Sequence, residues 1–264
     1  MNWKQFQRDK PRLFKTNYSR APIYAKLVTH RITPYVVFLS LKWGLTPDQV
    51  TFLSMLAGWT AAVLFAFPSR AMVLAAALAL EAYYVLDSVD GQLARITGKC
   101  SKTGAFYDIL LNSLVHPLVF ICIGVGQYRI TGQAVCLLYG ALAAISYVWL
   151  GLMWNVRAHV LWEAGLTERG LNAKERGESR ATKNLSLPRK IFAALHKLCT
   201  YPTLMNLVTL TAVWVWATGK WESFRYLLIF YSGVIPFVSL AKIAKVVLAL
   251  ELDQEVTGLR SGRS

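Results

Sequence analysis

Six long apolar runs, almost free of charge, constrain what this chain can fold into. They cover residues 50–67, 71–86, 109–128, 130–156, 198–219 and 226–241. A membrane-spanning helix needs about 20 mostly apolar residues, so the runs predict six transmembrane helices. The chain is 55% hydrophobic and 16% charged, whereas soluble domains carry about 25% charged residues. An ordinary soluble enzyme is therefore excluded, and the expected fold is an all-α polytopic membrane protein.

Basic residues are distributed unevenly around these runs. Six crossings would place both termini on one side, and 25 of the 29 Lys and Arg residues fall on that side. Because cytoplasmic segments are enriched in Lys and Arg, the termini and the loop at about 157–197 are expected in the cytoplasm. A net charge of +15 is also typical of nucleic-acid-binding proteins. Here the cations flank apolar spans, so no nucleic-acid partner is expected.

The first 45 residues differ from the rest of the chain. Residues 32–41 are apolar but too short to cross a bilayer, and they follow a basic segment. We expect residues 20–43 to include an amphipathic helix lying at the membrane interface. The first span begins with Thr46, Pro47 and Gln49, an arrangement typical of a capping box with Pro in the first helical position. The predicted organisation is an N-terminal segment 1–45, a six-span domain 46–250 and a cytoplasmic tail 251–264.

The most informative polar residues lie around the turn between the second and third spans. Asp87 and Asp90 are three residues apart and share a helix face. Gly91 and Ala94 continue that face with little side chain, and Arg95 ends it with a planar cation suited to phosphate oxygens. In the third span, three residues recur every fourth position: Gly104, Asp108 and Asn112. An eight-residue turn is expected to bring the two faces together.

Converging carboxylates at a membrane boundary are costly unless a positive charge lies among them. Oxygen-only ligands select hard cations, which here predicts Mg²⁺ or Mn²⁺. Together with Arg95 and the small residues, such an ion describes a pocket for a phosphate ester that opens to the cytoplasm. The alternative is that these acids only form ion pairs with the Lys and Arg residues nearby.

The same residues resemble the signature of the CDP-alcohol phosphotransferase family, D-x2-D-G-x2-A-R-x8-G-x3-D-x3-D. The chain matches it from Asp87 to Asp108 with every gap correct. The segment from Thr46 to Thr51 is also similar to the start of the family's first span, where Asn is commoner than Asp48.

This resemblance implies a function in phospholipid biosynthesis. Family members transfer a substituted phosphate from a CDP-linked donor to an alcohol and release CMP, and they form homodimers. The implied metal ligands are Asp87, Asp90 and Asp108. The implied residues at the CDP moiety are Asp87, Gly91, Ala94, Arg95 and Gly104. The expected donor is CDP-diacylglycerol from the bilayer, and transfer of a CDP-linked headgroup to a lipid alcohol remains an alternative. Independently of the resemblance, a short chain with short loops makes a prokaryotic inner membrane the expected location.

One position departs from the signature, because Asn112 replaces its last Asp. The resemblance makes that carboxylate a metal ligand and the base that deprotonates the acceptor, and an amide cannot take up a proton near neutral pH. Four explanations are open. The chain belongs to a subgroup in which another group takes the proton, or it is a binding protein that has lost the chemistry. Alternatively, Asn112 is an engineered substitution that traps a substrate complex, or the recorded sequence is ambiguous at this position. His116, one turn further on, is a candidate base, although a packing role beside Pro117 is the favoured interpretation.

The acceptor is less constrained than the donor. Inositol phosphate, glycerol phosphate, serine and a sugar alcohol are all compatible with the sequence. Arg157 and Lys183, in the basic loop, are candidate contacts for an acceptor phosphate, although ordinary positive-inside charge is the favoured explanation for any single one of these cations. A transporter whose acids mark an ion path is a further alternative, which the strip of Gly91, Ala94 and Arg95 argues against.

Overall fold

The computed structural model describes Phe6 and residues 30–163, 187–199 and 203–248. Eight helices are defined in these segments. They are α1 His30–Lys42, α2 Pro47–Phe65, α3 Arg70–Thr97, α4 Lys102–Thr131, α5 Val135–Glu163, α6 Leu187–Cys199, α7 Thr203–Thr218 and α8 Glu222–Leu248. No strand occurs among the described residues. The prediction of an all-α polytopic membrane protein is confirmed.

Five of these helices are long and apolar enough to cross a membrane: α2, α3, α4, α5 and α8. The remaining predicted span, 198–219, corresponds largely to α7, which is apolar but has 16 residues. The first two residues of that predicted span, 198 and 199, belong to the end of α6 instead. The number of crossings therefore stays a prediction. Five of the described helices are long enough to span a membrane, and a shorter helix, α7, lies where the remaining span was predicted.

The chain divides into two compact units. The first comprises residues 1–144 and 201–229, and the second comprises 145–200 and 230–264. In the first unit, α3 packs against α2, α1 and α7, and α2 also packs against α4. The second unit contains α6. There the Tyr231 hydroxyl donates a hydrogen bond to the carbonyl oxygen of Leu198 at 3.1 Å.

Helix α1 packs into the first unit. Val37 joins a buried cluster with Val50 of α2 and with Val89 and Leu93 of α3. Phe6 belongs to the same cluster and lies 5.5 Å, between ring centroids, from Phe38. The outer side of α1 leaves large apolar side chains exposed, including Tyr35 at 60%. The remainder of the predicted N-terminal segment, the middle of the loop at 164–186 and the tail at 251–264 lie outside the described residues.

The turn between α3 and α4 is shorter than the sequence pattern indicated. We expected eight residues, but α3 continues to Thr97 and α4 begins at Lys102, so the eight-residue turn was wrong. Gly98 ends α3 at φ +68°, a left-handed conformation that glycine adopts without a Cβ clash. The Ser101 side chain then caps α4 by accepting a hydrogen bond from Gly104 N at 2.9 Å. The tight turn places the end of α3 beside the start of α4.

Candidate functional site

A cleft of about 180 Å³ opens where α2 and α4 begin and α3 ends. The lining residues that the structure describes all belong to the first unit. They are Pro47, Asp48, Thr51, Asp90, Gly91, Ala94, Arg95, Lys99, Cys100, Ser101, Gly104, Ala105 and Asp108. Six of the predicted site residues therefore meet in one cavity: Asp90, Gly91, Ala94, Arg95, Gly104 and Asp108.

The first turn of α2 supplies one wall of the cleft. The predicted capping box is confirmed, since Gln49 N donates to Thr46 Oγ1 at 3.3 Å and Thr46 N donates to Gln49 Oε1 at 2.9 Å. Pro47 occupies the first helical position. With the helix start fixed in this way, Asp48 and Thr51 lie three residues apart on neighbouring turns and both reach the cleft.

Asp90 is the most buried acid of the cleft, with 5% of its surface exposed. Its Oδ2 accepts a hydrogen bond from the Thr51 hydroxyl at 2.7 Å, and its Oδ1 accepts one from the backbone N–H of Gly91. A carboxylate has about four acceptor sites. Each oxygen of Asp90 therefore keeps acceptor capacity beyond the bond that it makes inside the protein.

Charges of both signs share this end of the helices. Asp87 and Asp108 lie close enough to Asp90 to repel its charge, and Asp108 lines the cleft with it. Arg95 and Lys99 supply positive charge to the same cavity. A Cβ placed on Gly91 would lie 3.6 Å from Nη1 of Arg95. The lack of a side chain at Gly91 therefore leaves open the space beside the guanidinium, where an anionic group could bind.

Two predicted residues whose side chains the structure describes, Asp87 and His116, do not line the cleft. Asp87 is near Asp90 but is not part of the cavity wall. His116 is buried in α4, where its ring and that of Tyr83 pack in a T-shaped arrangement with 5.9 Å between centroids. Asn112 lies in α4 one turn after Asp108, and its side chain is outside the described part of the structure. The same holds for the side chain of Arg157 in α5, and Lys183 lies outside the described residues altogether.

Several lining residues had no predicted role in the site: Asp48, Thr51, Lys99, Cys100 and Ser101. A signal for the first two was present, because the segment from Thr46 to Thr51 was already part of the family resemblance. Ser101 is recognisable as a cap, since a Ser three residues before Gly104 precedes a long apolar run. What the sequence does not show is that α2 begins next to the end of α3.

The acids of the cleft fit the donor chemistry of a hard divalent cation. Within the described segments, no three or more His, Cys, Asp or Glu side chains are grouped so as to hold a metal ion by themselves. Mg²⁺, however, usually binds one or two protein carboxylates and takes its other ligands from water and substrate phosphates. Asp90 and Asp108 are two of the three carboxylates that line the cavity, the third being Asp48. Spare acceptor capacity on Asp90 suits that mode of binding.

Comparison with known proteins gives the family. The family model described as CDP-alcohol phosphatidyltransferase matches residues 44–250. The chain belongs to the CDP-alcohol phosphatidyltransferase family. The matched region contains all three helices of the cleft, and the predicted membership is confirmed.

Two curated relatives of this CDP-alcohol phosphatidyltransferase have similar sequences over shorter stretches. The phosphatidylinositol phosphate synthase of Streptomyces avermitilis is 34% identical over 92 residues, which are 35% of this chain and 36% of the relative. The archaetidylinositol phosphate synthase of Pyrococcus horikoshii is 34% identical over 83 residues, which are 31% of this chain and 43% of the relative. The alignments thus span less than half of either relative.

A solved structure has the same fold over most of the chain. It is the crystal structure of Mycobacterium tuberculosis phosphatidylinositol phosphate synthase with CDP-DAG bound, at a TM-score of 0.54 and 16% sequence identity. The superposition covers 81% of this chain and 92% of that one. At this identity the likeness establishes the shared helical architecture of the two proteins.

Proposed function

We propose that this CDP-alcohol phosphatidyltransferase transfers a phosphatidyl group from CDP-diacylglycerol to a polar alcohol and releases CMP. The observation that carries the proposal is the cleft that unites Asp90, Arg95 and Asp108 with three small residues of the family signature. The structural neighbour with CDP-DAG bound supports this choice of donor. Because both curated relatives are named as synthases of inositol phosphate lipids, inositol phosphate is the first acceptor to test.

Each part of the cleft has a distinct task in this reaction. Asp90 and Asp108, together with the nearby Asp87, would hold Mg²⁺ or Mn²⁺. When bound, the ion neutralises negative charge on the phosphoanhydride as it breaks. Arg95 and Lys99 bind phosphate oxygens of the donor. Gly91, Ala94 and Gly104 leave room for the cytidine diphosphate against the helix backbones.

The bond changes follow from the donor and acceptor. The acceptor hydroxyl oxygen forms a new bond to the phosphatidyl phosphorus, the anhydride P–O bond breaks, and CMP departs with the bonding electrons. The acceptor loses its hydroxyl proton. Asn112 cannot take up that proton, so it passes to water, to a phosphate oxygen or to another residue such as His116. Arg157 and Lys183 remain our proposed contacts for the acceptor's phosphate.

A second candidate function rests on Asn112, which stands where the family signature has its last Asp. With Asn112 in place of an acid, the chain would bind CDP-lipid without turnover. Purified protein in nanodiscs containing CDP-diacylglycerol, with Mg²⁺ or Mn²⁺ and a pool of acceptors, separates the two functions by CMP release. The chain itself is compared with Asn112→Asp and with Asp108→Asn.

Three outcomes are informative in this comparison. CMP release by the chain itself, lost in Asp108→Asn, supports the transferase. Release by Asn112→Asp alone makes the chain a silenced member of the family. If none of the variants releases CMP, the transferase proposal is wrong, and a CDP-diacylglycerol titration then tests the binding function.

The cellular setting forms part of the proposal. The charge asymmetry favours a cleft that faces the cytoplasm of a prokaryotic inner membrane, with residues 46–250 as the catalytic domain. We propose a homodimer, to be tested by crosslinking in native membranes. Accessibility of Cys100, an exposed thiol on the cleft wall, to a membrane-impermeant maleimide tests the orientation. Labelling from the periplasmic side of intact cells would contradict it.

A further inference from the structure

Thr51 connects the start of α2 to the most buried acid of the cleft. Its hydroxyl lies 2.7 Å from Oδ2 of Asp90 and 3.1 Å from the carbonyl oxygen of Pro47. Both Thr51 and Asp90 are buried. A hydroxyl has one proton to donate, and the carboxylate is both the nearer and the charged acceptor, so the stronger hydrogen bond goes to Asp90.

The bond to Asp90 is not the usual arrangement for a threonine within a helix. Thr97, Thr131 and Thr211 each donate to the carbonyl oxygen four residues back at 2.8 Å. At Thr51 the corresponding distance to Pro47 is longer, and the side chain also reaches a different helix. The capping box and Pro47 fix the helix start that carries it. The position of the hydroxyl is therefore set by α2 and not by Asp90.

We propose that Thr51 is a positioning residue that holds the Asp90 carboxylate in the orientation needed to bind a divalent cation. The proposal rests on the proposed function, in which Asp90 is a metal ligand. Thr51 restrains Oδ2 and the Gly91 N–H restrains Oδ1, so the carboxylate is held at both oxygens. Hydrogen bonds of this kind to a ligating carboxylate typically change metal affinity or activity by about 10- to 100-fold when removed.

Three variants test this role. Thr51→Val keeps the shape of the side chain and removes the donor, whereas Thr51→Ser keeps the donor and removes the methyl group. Thr211→Val is the matched control, because Thr211 makes the usual bond to a carbonyl oxygen and does not line the cleft. Mn²⁺ affinity is measured by electron paramagnetic resonance on protein in nanodiscs with CDP-diacylglycerol, and CMP release is measured alongside.

We expect Thr51→Val to weaken Mn²⁺ binding about 10- to 100-fold, and to lower CMP release at sub-saturating Mn²⁺ more than at saturation. Thr51→Ser should stay within about threefold of the wild type, and Thr211→Val should bind Mn²⁺ as the wild type does. Wild-type Mn²⁺ affinity in Thr51→Val overturns the proposal. Equal defects in the Ser and Val variants also overturn it, because packing of the methyl group would then be the cause. Absence of Mn²⁺ binding in the wild type overturns it as well.

The binding measurement separates this proposal from the proposed function. If the wild type binds Mn²⁺ but releases no CMP, and Thr51→Val still weakens that binding, the transferase activity is wrong while the role of Thr51 stands. If CMP is released normally and Thr51→Val matches the wild type in both measurements, the role of Thr51 is wrong while the transferase stands.

Discussion

Asp48 and Gly104 lie close together on the wall of the cleft, at the starts of α2 and α4. A Cβ placed on Gly104 would lie 3.4 Å from Oδ1 of Asp48 and 3.0 Å from Oγ of Ser101. The first distance is ordinary van der Waals contact, and the second requires the capping side chain to move. Glycine at this position therefore keeps the two helix starts close without disturbing the cap, and it adds no side chain to the space beside Asp48.

Gly104→Ala tests that space. The added methyl group would occupy the cleft beside Asp48 and press on Ser101, so we expect CDP-diacylglycerol binding to weaken several-fold. Loss of the Ser101 cap costs about 1 kcal/mol of helix stability, which lowers the melting temperature slightly. Gly233→Ala, at a position where a Cβ meets nothing within 4 Å, is the control. Unchanged donor affinity in Gly104→Ala would mean that the donor does not approach this part of the cleft.

Arg95→Lys tests whether the guanidinium binds the donor phosphates. Lysine keeps the positive charge but loses the planar fork that contacts two phosphate oxygens at once. We expect about tenfold weaker CDP-diacylglycerol binding, equivalent to about 1.4 kcal/mol for one charge-assisted hydrogen bond. Titration by microscale thermophoresis measures the change, with Arg225→Lys, outside the cleft, as the control. Equal affinities for Arg95→Lys and the control would assign Arg95 to general surface charge.

The architecture follows from the sequence more directly than the helix ends do. Apolar runs report where lipid or core surrounds a helix, and all six coincide largely with helices. They do not report where the helix stops. The last turns of α3, from Asp87 to Thr97, stay helical although they carry the charged residues Asp90 and Arg95 of the cleft, and the turn that follows is set by Gly98 and Ser101. The eight-residue turn was the gap between Arg95 and Gly104 in the sequence motif, and that gap does not show where either helix ends.

The site was predictable to the extent that it is local in sequence. Spacing within α3 and α4 identified six residues that meet in the cleft. Thr51 was not identified as part of it, because its hydrogen bond to Asp90 joins positions 39 residues apart. That contact depends on how α2 packs against α3, which spacing within a single helix cannot show. The capping motif predicted where α2 starts and how its first turn is capped, but it did not predict that the end of α3 lies beside that first turn.

Close packing of α4 on α5 gives a prediction about stability. A Cβ on Gly140 would lie 2.8 Å from the carbonyl oxygen of Phe120, and one on Gly124 would lie 2.9 Å from that of Cys136. These neighbours are backbone atoms, so the helices themselves would have to separate. We expect Gly140→Ala to destabilise the protein by about 1–3 kcal/mol, measured as a lower melting temperature in detergent. Gly151→Ala in the same helix, where a Cβ meets nothing within 4 Å, should be neutral or slightly stabilising. Equal melting temperatures for both variants would contradict the close approach.

A contact in the second unit predicts a dependence of stability on pH. Nζ of Lys242 lies 2.6 Å from Nε2 of His196. Burial, and secondarily the charge of Lys242, lower the pKa of His196 from 6.5 to about 4. The unfolded chain therefore binds a proton at this histidine at a higher pH than the folded chain does. The stabilisation from neutral His196 is present above pH 6.5 and is lost as the pH falls towards 4.

His196→Gln isolates this contribution, because glutamine retains an acceptor for the lysine but does not titrate. The carboxylates of the protein titrate in part of the same range, so the informative quantity is the difference in melting temperature between wild type and variant. We expect the wild type to lose more stability than His196→Gln between pH 6.5 and pH 4, and the two curves to run parallel above pH 7. Parallel curves over the whole range would show that His196 has the same proton affinity in the folded and unfolded chains.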